Sequence, residues 1–548
     1  MAKQSGSSLK LTDQQDAQTK MLSGSAWMTA GSIFSRILGA IYIIPWVTWL
    51  GSYSDQANAL YSKGYNIYSF FLMAAVAGVP SAISKLVSHY NAMNEYGVGR
   101  RLYHHGMYVS ALTGFLAAVI MYFGAPLFAD GDANVVPVLR SLTLAILVIP
   151  SMSLARGFFQ GYQQMAPSAI SQFVEQVFRV VYMLGATFFI MRVQHGSWVS
   201  AVSQSTFAAF IGALGSILLL SYYYLRNKET MDELVAQSNN ELVVSSWSLI
   251  RDIIFQAIPF IIVSAGIIIF TLIDQYTFFN VMRHLHEYSM AEMNQLYALF
   301  SFNANKLMMV VISLASALSI TVIPLLSAAK TREDFDGIRK QTANALQLFY
   351  FVMLPAALGM AAVSKPLYTI FYRYSASGTT ILVFSSYIAI ILGLYTVVSA
   401  IMQGLSQNML TLKYLGIGIV VKLILQVPAI LIFKTIGPLI ATGLAMTVTV
   451  YLIIHALNVE YNLPFKKMAK TTNQILLFSI LTFIVARLVV DGLYLFFSDY
   501  GRGAAFFVLT IAVVIGAGVY VVLALKTRLA DRLIGSRVAG IRRRLHIK

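Results

Sequence analysis

Seven ionisable side chains lie deep inside apolar runs of this chain: the cations Arg36, Arg179, Lys306, Lys422 and Arg487, and the acids Glu175 and Asp274. A charged group at the centre of a bilayer costs about 2.5–3.5 kcal/mol on insertion scales, so each needs a partner or a wet cavity. The surplus of cations points to an anionic substrate, with phosphate and pyrophosphate foremost, because arginine offers their oxygens a bidentate fork. Arg36, Lys306, Arg179 and Lys422 are therefore the expected substrate-binding residues of a cationic central cavity. Asp274 and Glu175 are left as counter-ions or as ligands of a coupling cation. Glu175 and Arg179 stand four residues apart on one helix face and can pair locally. Arg36 and Lys306 have no acid within a helical turn, which favours them for the cavity. Arg487 reads as structural or lipid-facing.

Other chemistries are excluded or unsupported. With Cys 0, there are no disulfides, thiolate metal sites or cysteine nucleophiles. No GxxxxGK[ST] loop occurs, and the eight histidines form no HExxH pair, so neither an ATP site nor a metal site is expected. No cofactor is implied, and sodium or proton coupling stays open. The reading is of a transport protein, not an enzyme.

The elements that carry these charges are membrane helices. Of the 548 residues, 58% are hydrophobic and 11% charged, against about 25% charged in an ordinary soluble protein. The apolar residues gather in runs of bilayer length. Fourteen such runs are expected, near 24–50, 65–90, 104–128, 135–155, 166–191, 198–225, 252–280, 296–328, 343–371, 380–402, 410–433, 437–457, 473–497 and 503–526. The fold class is an all-α polytopic membrane protein. The formal charge of +17 is read as topology rather than nucleic-acid binding. Lys and Arg crowd one set of loops, including Arg100, Arg101, Arg156, Arg226, Lys330 and Arg339. The opposite set holds only Lys63, Arg192, Arg283, Arg373, Lys434 and Arg502, together with Asp55, Asp130, Asp132, Glu287 and Glu292. Basic loops stay inside, which puts both termini in the cytoplasm of a cell-membrane protein.

An internal repeat organises the spans. QGYQQM at Gln160–Met165 matches QGLSQN at Gln403–Asn408, with Gln160 and Gly161 falling on Gln403 and Gly404 as a structural motif. Arg179 falls on Lys422 at the same offset, and Pro126 on Pro366 at an offset three residues shorter. The interval is six spans, an even number, so the copies run the same way through the membrane as a parallel pseudo-two-fold repeat. The expected organisation is a cytoplasmic segment 1–23, an N-lobe of six helices over 24–225, a cytoplasmic linker 226–251, a six-helix C-lobe over 252–457, two added helices over 473–526, and a basic tail 527–548. The tail intersperses Leu529, Leu533, Ile541 and Leu545 among arginines. It is either an amphipathic helix on anionic lipid headgroups or a solvated basic tail. A monomer is expected.

The residues also resemble a known family. SGSAWMTAGSIFSRILGAIYIIP, with its SRILG core at Ser35–Gly39, resembles the start of MurJ-type lipid II flippases. ARGFFQGYQQMAPSAISQFVEQVFRV at Ala155–Val180 is similar to the YtgP-like polysaccharide-biosynthesis branch. Both lie in the multidrug/oligosaccharidyl-lipid/polysaccharide exporter superfamily, and the resemblance covers essentially the whole chain. It implies a MATE-like fold that flips undecaprenyl-pyrophosphate-linked peptidoglycan precursor (lipid II) to the outer leaflet. It also implies a basic central cavity for the headgroup and a groove by the last two helices for the lipid tail. Arg36 matches the family's first cavity arginine, and Lys306 in ANKLMMVVISLASALSITVIP stands at the family's span-8 arginine position. The Arg-Asp pair that follows SR in the family is Tyr42-Ile43 here, which removes two charges.

Alternating access is the expected mechanism. Export carries negative charge away from a negative cytoplasm, and each charge gains about 2.3 kcal/mol per 100 mV. Membrane potential is therefore the expected driving force. Rival readings are a flippase for another lipid-linked polysaccharide precursor, and a cation-coupled multidrug exporter that depends on Asp274 and Glu175. A membrane-bound glycan polymerase ranks last, since the short outer loops carry no catalytic set.

Overall fold

A computed structural model describes residues 38–39, 41–76, 79–162, 164–239, 258, 261–285, 287–498 and 501–534. Every regular element among them is helical, and ten of the helical stretches are long and apolar enough to cross a membrane. The helices are α1 (Ile43–Leu50), α2 (Ser54–Val76), α3 (Val79–Ala92), α4 (Tyr96–Phe128), α5 (Val135–Gly161), α6 (Met165–Phe188), α7 (Trp198–Arg226) and α8 (Lys228–Ala236). They continue as α9 (Gly266–His284), α10 (Met290–Ala298), α11 (Asn305–Thr331), α12 (Phe335–Ala362), α13 (Ser364–Phe371), α14 (Ala376–Gly404), α15 (Asn408–Phe433) and α16 (Gly437–Tyr461). The chain ends in α17 (Phe465–Leu493), α18 (Arg502–Lys526) and α19 (Leu529–Ile534).

The chain divides into two compact units. One comprises Met1–Tyr53 with Lys63–Ile261, the other Ser54–Ser62 with Ile262–Lys548. In the first, α4 packs on α5, and α7 packs on both α5 and α6. The approach of α6 to α7 needs Gly212, where a Cβ would come within 2.5 Å of the Glu175 carbonyl oxygen. Small residues serve this purpose in membrane bundles, where close backbone packing replaces a hydrophobic driving force. In the second unit α11 packs on α14, α15 on α16, and α9 on α15. The two late helices α17 and α18 dock on α12 through Phe351, Ile475, Phe478 and Tyr520, and the Tyr520 hydroxyl donates to the Phe351 carbonyl at 2.8 Å.

Several element boundaries differ from expectation. The second span does not begin near residue 65: α2 starts at Ser54 and carries Lys63 inside it. Lys63, assigned to an outer loop, is buried and paired with Asp132 at 2.8 Å. The polar run 54–63 resembles a loop in sequence because its partners lie elsewhere in the chain. The run expected at 343–371 breaks into α12 and the short α13. Arg156, placed on a loop, belongs to α5. At the start of the tail, Leu529 is buried with Phe351 and Leu354 rather than lying on headgroups or in water; the rest, from residue 535, lies outside the described residues.

The two matched sequence motifs sit at equivalent helix ends. After Gly161, the Tyr162 amide donates to the Phe158 carbonyl and the Gln164 amide to the Phe159 carbonyl; after Gly404, Leu405 donates to Ile401 and Gln407 to Met402. Each glycine is also a point of close approach. A Cβ on Gly161 would meet Val87 at 2.7 Å, and one on Gly404 would meet the Ile323 carbonyl at 2.9 Å.

Candidate functional site

In the first unit, the half-buried Arg156 of α5 joins three helices. Its Nη2 donates to Glu175 Oε2 on α6 and to Ser216 Oγ on α7, each at 2.8 Å, while Nε donates to Ser171 Oγ at 2.8 Å. Glu175 therefore has a cation from another helix as partner, which the local pairing with Arg179 did not anticipate. Arg179, one turn further on, packs its Cβ against the space kept open by Gly212. Arg36 lies outside the described residues.

The second unit holds two polar clusters. At the first, Lys422 on α15 is completely enclosed, with 0% of its side chain exposed. Its ammonium donates to Asp274 Oδ1 at 2.5 Å, to Thr442 Oγ1 at 2.6 Å and to the Pro438 carbonyl at 3.0 Å. These three acceptors use all three of its protons. Gln426, one turn along α15, donates through Nε2 to Asp274 Oδ1 and to Thr277 Oγ1, both at 2.9 Å. Thr442 adds a bond to Asp274 Oδ2 at 3.3 Å. Helices α9, α15 and α16 are thus tied through one carboxylate. Asp274 and Thr442 also line a pocket with Phe270, Tyr297, Ser301 and Asn305. Lys422 is consequently committed to a carboxylate and two neutral oxygens, not turned toward an anion.

Lys306 marks the other cluster. Between α10 and α11 the chain makes a π-helical turn, Leu299–Ala304, and Lys306 follows it directly. Such turns displace the backbone ladder, leave carbonyls to side-chain donors and recur at functional positions. Here Ser62 donates to the Ser301 carbonyl at 3.0 Å and Tyr372 to the Asn303 carbonyl at 3.2 Å. The Asn303 side chain accepts from Asn58 at 2.8 Å and donates to the Tyr368 hydroxyl at 2.8 Å. The Lys306 ammonium lies 5.3 Å from the ring centre of Tyr61 and 5.4 Å from that of Phe302. An aromatic face attracts a cation through the ring quadrupole. Lys306 is half-buried.

Arg487 pairs with Asp491 on the exposed face of α17 at 2.9 Å. Asp491 is a helical acid absent from the expected set. The residues that sequence reasoning missed — Arg156, Gln426, Thr442, Asn58 and Asn303 — are mostly neutral polar groups. The one available signal was spacing, since Gln426 follows Lys422 by one helical turn.

Enclosed polar clusters among ten helices long and apolar enough to cross a membrane define an all-helical polytopic membrane protein, and solved structures share its fold. The structure of the lipid II flippase MurJ in an inward closed conformation superposes with a TM-score of 0.61 at 16% identity, covering 92% of this chain and 99% of that one. An inward-facing multidrug resistance MATE family transporter of the MOP superfamily gives 0.57 at 15% identity, over 77% and 95%. In sequence, the polysaccharide biosynthesis protein family matches residues 21–330. The lipid II flippase MurJ of Bacillus subtilis (strain 168) is 33% identical over 96% of this chain and 99% of its own. The membrane protein YabM of the same organism is 23% identical over 91% of each. The chain belongs to the polysaccharide biosynthesis protein family, together with the Bacillus subtilis MurJ flippase.

Proposed function

We propose that this protein moves lipid II, the undecaprenyl-pyrophosphate-linked peptidoglycan precursor, from the inner to the outer leaflet of the bacterial cell membrane. The observation that carries this reading is the similarity to a lipid II flippase along almost the full length of both chains, at 33% identity. The half-buried ammonium of Lys306, held on two aromatic faces, supplies a cation for the pyrophosphate. Arg36 in the SRILG motif supplies a second, with a guanidinium fork suited to phosphate oxygens. Arg179 adds positive charge in the first unit, whereas the commitment of Lys422 to Asp274 assigns that lysine a different task.

The chain has fourteen spans, of which the first six and the next six are parallel copies of one unit. The matched helix ends at Gly161 and Gly404 support this repeat. Both termini are cytoplasmic, the residues beyond α19 meet anionic lipid headgroups, and the protein works as a monomer. It alternates access between the two sides of the membrane, driven by the potential, with no nucleotide and no metal cofactor.

The test is depletion in cells lacking any second flippase, with labelled lipid II measured at the outer surface. Loss of exposure that wild type restores, and that well-expressed Arg36→Ala and Lys306→Ala do not, supports both substrate and site. Unchanged lipid II exposure with loss of another surface glycan would assign the protein to a different lipid-linked precursor.

A further inference from the structure

The enclosed lysine of the second unit carries a consequence for coupling that goes beyond the choice of substrate. The acceptors around the Lys422 ammonium are a carboxylate oxygen, a main-chain carbonyl and a hydroxyl. Hard cations favour oxygen sets of this kind, combining one formal negative charge with neutral dipoles. A lysine ammonium is itself a compact, strongly hydrated point charge of +1. Gln426 stands behind this set, its Nε2 donating to Asp274 Oδ1 and so fixing the carboxylate that the ammonium meets. Asp274 and Thr442 also face a pocket, which gives a small ion a way in.

We propose that Lys422 is a tethered cation. Its ammonium fills an oxygen cage formed by Asp274, the Pro438 carbonyl and Thr442, with Gln426 orienting the carboxylate, that would otherwise take a monovalent alkali cation. A tethered charge is never released to either side of the membrane. The second unit therefore keeps Asp274 neutralised through the whole cycle, and no ion gradient is spent through this cage. A free ion would have to bind and leave in each turnover; this one can only shift within reach of its own four-carbon stem. The inference deepens the transport reading above by assigning its coupling, but the cage stands on geometry alone and is testable without any substrate.

The experiment is thermal unfolding of the purified full-length protein in sodium, potassium or choline chloride at constant ionic strength. Wild type should show the same Tm in all three salts. Lys422→Ala, which empties the cage and leaves Asp274 without its counter-ion, should unfold at a lower temperature in choline. It should then gain a saturable rise of a few degrees with one alkali cation, since a ligand that binds only the folded state raises Tm. Adding Gln426→Leu should weaken that response, and adding Asp274→Asn should abolish it. If Lys422→Ala does not fold, Lys422→Ser supplies the same readout, its short hydroxyl leaving the cage open to an ion. An alkali-specific rise in wild type that Asp274→Asn removes would overturn the proposal, as would folded Lys422 variants indifferent to every alkali cation. Failure of lipid II transport with the cation responses as described would count against the substrate reading alone.

Discussion

Each unit has a site where a cation meets a carboxylate and joins three helices, yet the two sites differ in kind. Arg156 spreads its fork over Glu175, Ser171 and Ser216, and both charged side chains keep some exposure, 12% and 17%. Lys422 concentrates a single charge on Asp274 and two neutral oxygens with nothing exposed. The sequence offset that matches the two glycine motifs sets Lys422 against Arg179, but the cation that holds Glu175 comes from a different helix, at Arg156. Both units thus contain a neutralised interior acid, met by residues at unmatched positions. Positional matching pairs the motifs, and hydrogen-bond geometry alone finds the partner.

This contrast orders the expected effects of mutation. Asp274→Ala leaves an enclosed ammonium with two neutral acceptors, and removing one member of a buried pair costs about 3–5 kcal/mol; Tm and folded yield in detergent should fall sharply. Glu175→Ala should cost less, about 1–3 kcal/mol, because Arg156 keeps two serine acceptors and some contact with solvent; a loss equal to that of Asp274→Ala would erase the distinction between the two sites. Lys306→Ala should leave Tm nearly unchanged while outward movement of the labelled precursor falls by an order of magnitude or more. An exposed i,i+4 pair contributes about 0.3–0.5 kcal/mol, so Arg487→Ala should alter neither stability nor transport measurably.

The sequence made the helical class, the repeat motifs and the deep charges legible, because long apolar runs and isolated ions stand out by composition alone. It misplaced the start of α2, where Asn58, Ser62 and Lys63 are polar yet packed: Asn58 and Ser62 meet Asn303 and the Ser301 carbonyl, and Lys63 meets Asp132. Their partners lie 69 to 245 residues away, a separation that no local pattern reveals. Arg156 reads as a loop cation for the same reason, since Glu175 lies on the next helix. Asp274 and Lys422 were both identified as charges at depth; that they neutralise each other depends on α9 packing against α15, which is tertiary information. The π-helical turn before Lys306 also leaves no signature in hydrophobic periodicity, because LFSFNA reads as ordinary apolar helix.

The central claim is an export of pyrophosphate-linked lipid that draws on membrane potential and needs no sodium gradient. Its most direct measurement is flipping of fluorescent lipid II in proteoliposomes whose orientation is known, in sodium-free choline buffer. A potassium-diffusion potential would be imposed in one direction and then the other. Transport should proceed without sodium, run faster when the potential favours movement of negative charge from the cytoplasmic face, and slow when it is reversed. A rate indifferent to the sign of the potential, or movement that begins only when sodium is added, would contradict the account.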